Sequence, residues 1–408
     1  NADALFFDAD GDGDMDLYLA GGGAEYPQGS ENYQDRIFEN NGKGNFKEIL
    51  NALPKETISA SCARVADINH DGKPDLFIGG RFQPGMFPMA PPSNILKNVS
   101  QPGKIQFEID RSQKDATLAE PGMVTDAVWC DLNKDGWQDL VVVGQFMPIT
   151  VFENHKGVLV NKTNKYGLSG TNGWWSRVNA TDLDGDGNID LIVGNIGLNT
   201  QLKASQAEPV TITCSDFNND GTMFPILSYF IQGKSYPYNT RDELMDQMPW
   251  LQKKFARYID YADAQLSDLF PQGKLDSAKV FKINLLSSVI LKNTGRGRMD
   301  VKALPKAAQA SMVNGIVVDD LQKDGHKDIL LAGNFYPFRV QFGPLDAGVG
   351  MVLRRNGKGD ISSFGFAETG LKIDGDVRNL IKVNGGNGNY WLVAAKSDGA
   401  LQVLKRNN

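Results

Sequence analysis

Residues 182–195 read DLDGDGNIDLIVGN, and four carboxylates, Asp182, Asp184, Asp186 and Asp190, run straight into an apolar segment. Like charges this close repel, and some take up protons unless a positive charge sits among them. The stretch is one of a set. DADGDGDMDL begins at Asp8, DINHDGKPDL at Asp67, DLNKDGWQDL at Asp131 and DLQKDGHKDI at Asp320, while DFNNDGTMFP at Asp216 is a damaged copy. Five copies of D-x-[D/N]-x-D-G-x-x-D-[L/I] serve no acid–base reaction. A repeated bound ion explains them.

The spacing fits calcium. Oxygens at loop positions 1, 3 and 5 converge when the chain curls, and Gly at position 6 lets the position 7 carbonyl turn to the same point. A closing acid at position 9 completes the set. The ligand sets read Asp8, Asp10, Asp12, Asp14 and Asp16; Asp67, Asn69, Asp71, Lys73 and Asp75; Asp131, Asn133, Asp135, Trp137 and Asp139; Asp182, Asp184, Asp186, Asn188 and Asp190; and Asp320, Gln322, Asp324, His326 and Asp328. Asp14, Lys73, Trp137, Asn188 and His326 enter through their carbonyls. Oxygen ligands without Cys or His exclude zinc and copper, and magnesium prefers to keep its waters. About five calcium ions are expected, with affinities in the weak range of roughly 10⁻⁴ to 10⁻³ M or somewhat tighter. In the damaged copy Phe224 replaces the closing acid, so Asp216, Asn218 and Asp220 form a weak or empty site. Gln322 puts a longer amide at position 3, and the stretch around 383–399 has no loop acids and should bind nothing.

Each loop sits between two short apolar runs, such as ALFF and LYLAGG around the first or GIVV and ILLAG around the last, so each joins two strands. A second hairpin follows most of them, at RIFENNGKGNF (36–46), ILKNVSQPGKIQF (95–107), VFENHKGVLV (151–160), VILKNTGRGRM (289–299) and VLRRNGKGDI (352–361). Two hairpins make one four-stranded antiparallel sheet, and a repeat of about 50–60 residues implies stacked units. The expected fold is all-β: one seven-bladed β-propeller over residues 1–408, with blades at about 1–55, 56–118, 119–170, 171–207, 208–307, 308–370 and 371–408. The last unit offers only three strands, and residues upstream of Asn1 are expected to supply its fourth, within a longer surface polypeptide. Residues 240–270 break the pattern: Thr240 and Glu243 form a capping box, and Leu244, Met248, Leu251, Phe255 and Ile259 recur at helical spacing. This helical insertion is expected inside the fifth blade.

Composition narrows the function. A net charge of -7 without a basic patch argues against nucleic acid, and no apolar run is long enough to span a membrane. Any export signal has been removed or was never present. Cys62, Cys130 and Cys214 read as buried strand thiols.

With loops and hairpins in place, the chain resembles the FG-GAP/VCBS repeat proteins, whose propeller is shared with integrin α-subunit heads and cartilage acidic protein. The resemblance rests on the Asp loops, the N-x-G-x-G-x-F-like turns and GWWSRVNATDLDGDGNIDLIVGNIGLN (173–199). YPYNTRDELMDQMPWLQKKF and YADAQ (261–265) look like a helical insert of a bacterial branch of that family. The resemblance implies calcium at the loop acids that match the template, and a bacterial location that is extracellular, outer-membrane-attached or periplasmic. It implies no activity.

Ligand recognition is sought at the strand exits GRFQP (80–84), GQFMP (144–148), GNFYP (333–337) and the variant GNIGL (194–198). These place Arg81, Gln145, Asn334 and Asn195 at equivalent positions, with Trp174 and Trp175 nearby. The same residues also suit bonding to their own backbone and packing between sheets. The favoured reading is a calcium-stabilised binding or adhesion module for a glycan or protein. The alternative is a polysaccharide lyase, for which Arg177, His155 and Tyr336 are candidates that no spacing links.

Overall fold

The computed structural model describes residues 2–337, 343–355, 360–385, 390–397 and 399–405. The expected turns at 356–359 and within 386–389 lie outside the described residues. The chain is all-β, built from seven antiparallel sheets with few helices. The first sheet shows the plan: Asp3–Phe7, Asp16–Ala20, Arg36–Asn40 and Phe46–Glu48 lie side by side in chain order. The first Asp loop joins strands one and two. The second sheet (60–109) and the sixth (315–364) repeat this plan, and the last sheet (377–405) has three strands.

Burial explains the composition of the second strands. Asp75–Gly80, Asp139–Met147, Asp190–Gly194 and Asp328–Ala332 are buried at every position, so both faces are covered. A strand covered on both faces is a continuous apolar run, as LVVVG and ILLAG are. Asp16–Ala20 of the first sheet instead alternates between buried and half-buried residues.

Five apolar cores join the sheets in series. Phe7, Ile37, Leu76 and Phe107 lie between sheets one and two. Phe77, Val124, Leu140 and Phe152 lie between two and three. Val141, Trp175, Val178 and Leu291 follow between three and four, and Ile192, Ile290, Ile316 and Leu331 between four and six. Val317, Leu330, Val377 and Leu392 then join six to seven. Among the described residues no such core joins the last sheet to the first.

The fifth sheet stands outside this series, and here the structure differs from the sequence division. The hairpin 289–303 was expected with 208–283; it completes the fourth sheet instead, Ile290 pairing with Ile192. Its place is fixed by Asn293, whose backbone N–H donates to Asp190 (2.8 Å). Residues 208–283 therefore form a sheet inserted between the second and third strands of the fourth. Its strand order is also its own: Lys279–Ile283 pairs beside Val210–Ser215 rather than closing the far edge. Met123, Phe146, Ile196 and Trp174 pack against Val210, Ile212 and Ile283 to dock it.

The helical segment lies within this inserted sheet. Thr240 and Glu243 form the reciprocal cap, opening a helix at Arg241–Gln247. Pro249 ends that run, so short pieces follow up to Asp276 in place of one long helix. Leu244, Met248, Leu251 and Phe255 are buried against Phe217 and Phe270, whereas Ile259 is exposed. Cys62, Cys130 and Cys214 are free and buried.

Candidate metal centres

The six loops share one backbone. Position 4 takes the left-handed conformation in Gly11, His70, Lys134, Gly185, Asn219 and Lys323, and the position 6 glycines do so as well. Four of the position 4 residues are not glycine, so the loop itself imposes a conformation that L-residues otherwise avoid. The position 1 carboxylate holds the curl. Asp8 accepts from Gly11 and Gly13 N–H (2.7 and 3.0 Å), Asp182 from Gly185 and Gly187, and Asp131 from Asp135 and Gly136. Asp67, Asp216 and Asp320 do the same. Each position 5 acid accepts from the position 7 N–H, as in Asp71 from Lys73, Asp135 from Trp137, Asp186 from Asn188 and Asp324 from His326. The Lys73 ammonium donates to Ser100 O, and Trp137 stacks on His70 of the neighbouring loop, ring centroids 3.9 Å apart.

Two loops gather three carboxylates around one point. Oxygens of Asp8, Asp10 and Asp16, and separately of Asp182, Asp184 and Asp190, lie within 4.8 Å of one another. In the second and third loops Asn69 and Asn133 stand at position 3, and each amide oxygen accepts from the position 5 N–H (2.9 Å). The position 9 acids are the most buried. Burial pushes Asp75 up to about 6, Asp139 to about 7 and Asp190 to about 6 against the backbone N–H groups they accept, with neighbouring loop acids adding to the rise. Asp16 and Asp328 are raised by burial too. Carboxylates that resist ionisation in this way call for a counter-cation. Asp328 is 2% exposed and its Oδ2 has no hydrogen-bond partner among the described residues, an orphan that a metal would satisfy. Oxygen-only donors, two carboxylate triads and this orphan fit a hard divalent ion such as calcium. Gln322 lies exposed on the rim of the same loop.

The damaged loop is filled from elsewhere. Lys274 of the helical segment places its ammonium on the Asp216 carbonyl and the Asn219 side chain. Trp250 Nε1 donates to Asn218 Oδ1 (3.0 Å), which takes the position 3 oxygen, and the Asp220 carboxylate accepts from Thr222 N–H (2.8 Å). A second cation pair lies at the rim of the fourth loop, where Lys292 contacts Asp184 and Arg355 lies 3.6 Å from it.

Sequence reasoning missed the residues that couple the loops. Asn98 and Asn293 end third strands and Asn154 is next to last in its own, and each backbone N–H donates to the position 9 acid of its own sheet, Asp75, Asp139 or Asp190 (2.8 Å each). Each side-chain amide then donates to the position 2 carbonyl of the preceding loop: Asn98 to Ala9, Asn154 to Ile68, Asn293 to Leu132 (2.8, 2.9 and 2.9 Å). The signal was present in ENN, KNV, ENH and KNT, which read as turn residues only.

The exit residues divide. Asn195 and Asn334 bond wholly within the protein: Asn195 accepts from Trp174 and Ile196 N–H, and Asn334 accepts from Ser311 and Gly348. Their amide groups donate to backbone carbonyls, including Leu285 and Gly375. Trp175 is fully buried between sheets three and four, its Nε1 on Thr171 O. Arg81, Gln145 and Trp174 come together: in the amide orientation that satisfies both partners, the Gln145 oxygen accepts from Arg81 Nη2 (3.2 Å) and Trp174 Nε1 (2.5 Å). The lyase candidates keep separate partners. Arg177 donates to Asn314 O, His155 lies 3.8 Å from Glu153, and Tyr336 is exposed.

A model of the FG-GAP-like repeat matches residues 8–78 and 131–193. The chain therefore carries FG-GAP-like repeats in these two stretches. No curated protein sequence matches it. Similar solved structures include the biofilm matrix protein Bap1 of V. cholerae, at 11% identity over 97% of this chain and 74% of that one, TM-score 0.34. An Agrocybe aegerita lectin recognising non-reducing terminal N-acetylglucosamine follows, at 17% identity over 88% and 79%, TM-score 0.33. The exotype rhamnogalacturonan lyase YesX shows 12% identity over 98% and 71%, TM-score 0.32. Likenesses this loose carry no argument about activity. No described helix is long and apolar enough to cross a membrane.

Proposed function

We propose that this chain is a calcium-stabilised, propeller-like binding module that works outside the cytoplasm and recognises a glycan or protein ligand. The serial sheets act as its blades, six in the stack, with residues 208–283 riding on the fourth in place of a seventh. The observation that carries the reading is the pair of carboxylate triads, Asp8–Asp10–Asp16 and Asp182–Asp184–Asp190, set in loops of one shared backbone. Weak oxygen-only sites fill where calcium is millimolar, which favours an extracellular or periplasmic setting at a bacterial surface. Calcium neutralises acids that would otherwise repel one another between the strands they join. The remaining loops, with Asn or Gln at position 3, keep fewer charges and bind more weakly, and the Asp216 loop already holds the Lys274 ammonium.

Equilibrium dialysis against 1 mM calcium, followed by elemental analysis, tests the metal assignment. Between two and five ions per chain are expected, with one fewer in Asp184→Asn. A chain that emerges free of calcium sinks the proposal. A glycan array probed in calcium then tests the binding role.

A further inference from the structure

The far ends of the second strands hold a group that the calcium reading leaves unused. Asp75–Gly80 spans six residues, about 20 Å of extended chain, so Arg81 lies well away from the second Asp loop. Its guanidinium meets Gln145 of the third sheet, and Gln145 meets Trp174. Phe146 tilts against Trp174 with centroids 5.4 Å apart, and Phe87 adds an edge to Phe146 at 6.5 Å. Burial, with the nearby charge of Arg378 from the last sheet, holds the Arg81 guanidinium down to about 10. Arg378 is paired with Asp376 at 2.6 Å and lies over the Phe335 ring.

Arg81 differs from the arginines around the inner strands. Arg64 lies on Asp3 and Asp126, and Arg177 is 3.6 Å from Asp126. Among the described residues Arg81 has no carboxylate within ion-pair distance, and Gln145 is its one side-chain hydrogen-bond partner. A guanidinium has five N–H donors, so most of this fork is unused. A half-buried cation without a counter-charge is costly to fold around, and a second cation beside it adds to that cost. A ligand that brings the anion removes both penalties.

We propose that Arg81, Gln145, Trp174 and Arg378 form a recess that binds the carboxylate of an acidic sugar, a uronate within a polysaccharide. This deepens the binding-module reading and rests on it. The Arg81 fork matches a carboxylate in bidentate geometry. Gln145 is itself buried, and its oxygen fixes the Arg81 guanidinium and the Trp174 indole relative to each other. The partly exposed Trp174, backed by the buried Phe146, supplies a flat apolar face against which a pyranose ring packs. An acidic peptide brings the carboxylate but no ring to lie on that face.

Isothermal titration of the full chain in calcium tests this, with hexagalacturonate, an uncharged hexagalactoside and polyglutamate as probes. Hexagalacturonate is expected to bind, weakening with added salt, and Arg81→Gln to lower its affinity on the order of 30-fold or more. Arg81→Gln is also expected to melt no lower than the parent, because it removes an uncompensated cation. A drop of several degrees would mark Arg81 as a structural residue and overturn the proposal. So would absent uronate binding, unchanged affinity in Arg81→Gln, or polyglutamate bound as tightly as the uronate. Uncharged sugar bound equally by both chains overturns the recess while leaving the binding module standing.

Discussion

Replacing Asn154 by alanine removes one bond to the second sheet and two within the third. The side chain is fully buried; its Nδ2 donates to Ile68 O (2.9 Å) and Gln138 O (3.1 Å), and its Oδ1 accepts from Gly157 N–H (2.7 Å). Alanine leaves the Ile68 carbonyl buried without a partner, which costs about 1–3 kcal/mol. The other two groups are only partly buried, so water recovers part of their loss and each adds about 0.5–1 kcal/mol. The sum is about 2–5 kcal/mol. Unfolding entropy near the melting point is about 2.1 cal/mol/K per residue, so over 408 residues 1 kcal/mol moves the melt by roughly 1.2 °C. Asn154→Ala should therefore melt about 2–6 °C below the parent by calorimetry in saturating calcium. Asn98→Ala and Asn293→Ala should behave alike, because their amides also cross to the preceding loop. Asn40 is the internal control: it holds the same register, but its amide donates to Met15 O of its own sheet at an exposed site (3.0 Å). Asn40→Ala should cost about 1 kcal/mol or less. Equal losses at all four positions, or an Asn154→Ala melt within 1 °C of the parent, would refute the inter-sheet role.

Three further outcomes follow from the same geometry. Chelation of calcium should lower the melt: at 1 mM calcium a site with a dissociation constant near 10⁻⁴ M contributes about 1.4 kcal/mol, so the two triad sites together are worth roughly 3 °C; a melt unmoved by chelator contradicts the site assignments. Asp328→Asn should be neutral or mildly stabilising in chelator, because the buried Oδ2 has no hydrogen-bond partner among the described residues, yet should lose the calcium-induced gain of the parent; equal destabilisation with and without calcium argues against metal at that loop. Asp126→Asn should cost about 3–5 kcal/mol, since Asp126 is 1% exposed, takes the Arg64 guanidinium and accepts from Val178 N–H (2.9 Å), with Arg177 close by. A calorimetric loss under 1 °C in that variant would show that the three sheets do not depend on this carboxylate.

What the sequence disclosed was set by distance along the chain. The loops were legible because ligand spacing and the position 6 glycine lie within nine residues, and the hairpins were legible for the same reason. The fourth sheet was not: its second and third strands, Asp190–Gly194 and Val289–Asn293, are separated by the whole inserted sheet, so adjacency assigned 289–303 to the wrong partner. The damaged loop could be seen to lack its closing acid at Phe224, but not to carry a replacement cation from Lys274, more than fifty residues away. Trp174 and Trp175 were given the same reading as neighbours. Adjacent residues of extended chain point to opposite faces, so one fills the core and the other turns toward Gln145.

The position 9 acid turns these separate facts into one mechanism. Asp139 accepts from Leu132 N–H of its own loop (3.0 Å) and from Asn154 N–H near the end of its third strand (2.8 Å). Asn154 then reaches Ile68, whose own N–H is bonded to Asp75, and Asp75 accepts from Asn98, which reaches Ala9. Asn293 attaches the fourth loop to Leu132 of the third in the same way. Loops four, three, two and one are thus tied in a single hydrogen-bonded series, and every step passes through a carboxylate that burial drives away from ionisation. A cation that keeps those acids ionised strengthens each bond they accept, so metal at one loop tightens the contact between sheets as well as its own turn. The series ends at the sixth sheet, where Arg355 stands at the register position of the asparagines and meets Asp184 as an ion pair. There a fixed cation of the chain takes over the coupling, and the contact between the fourth and sixth sheets depends least on metal.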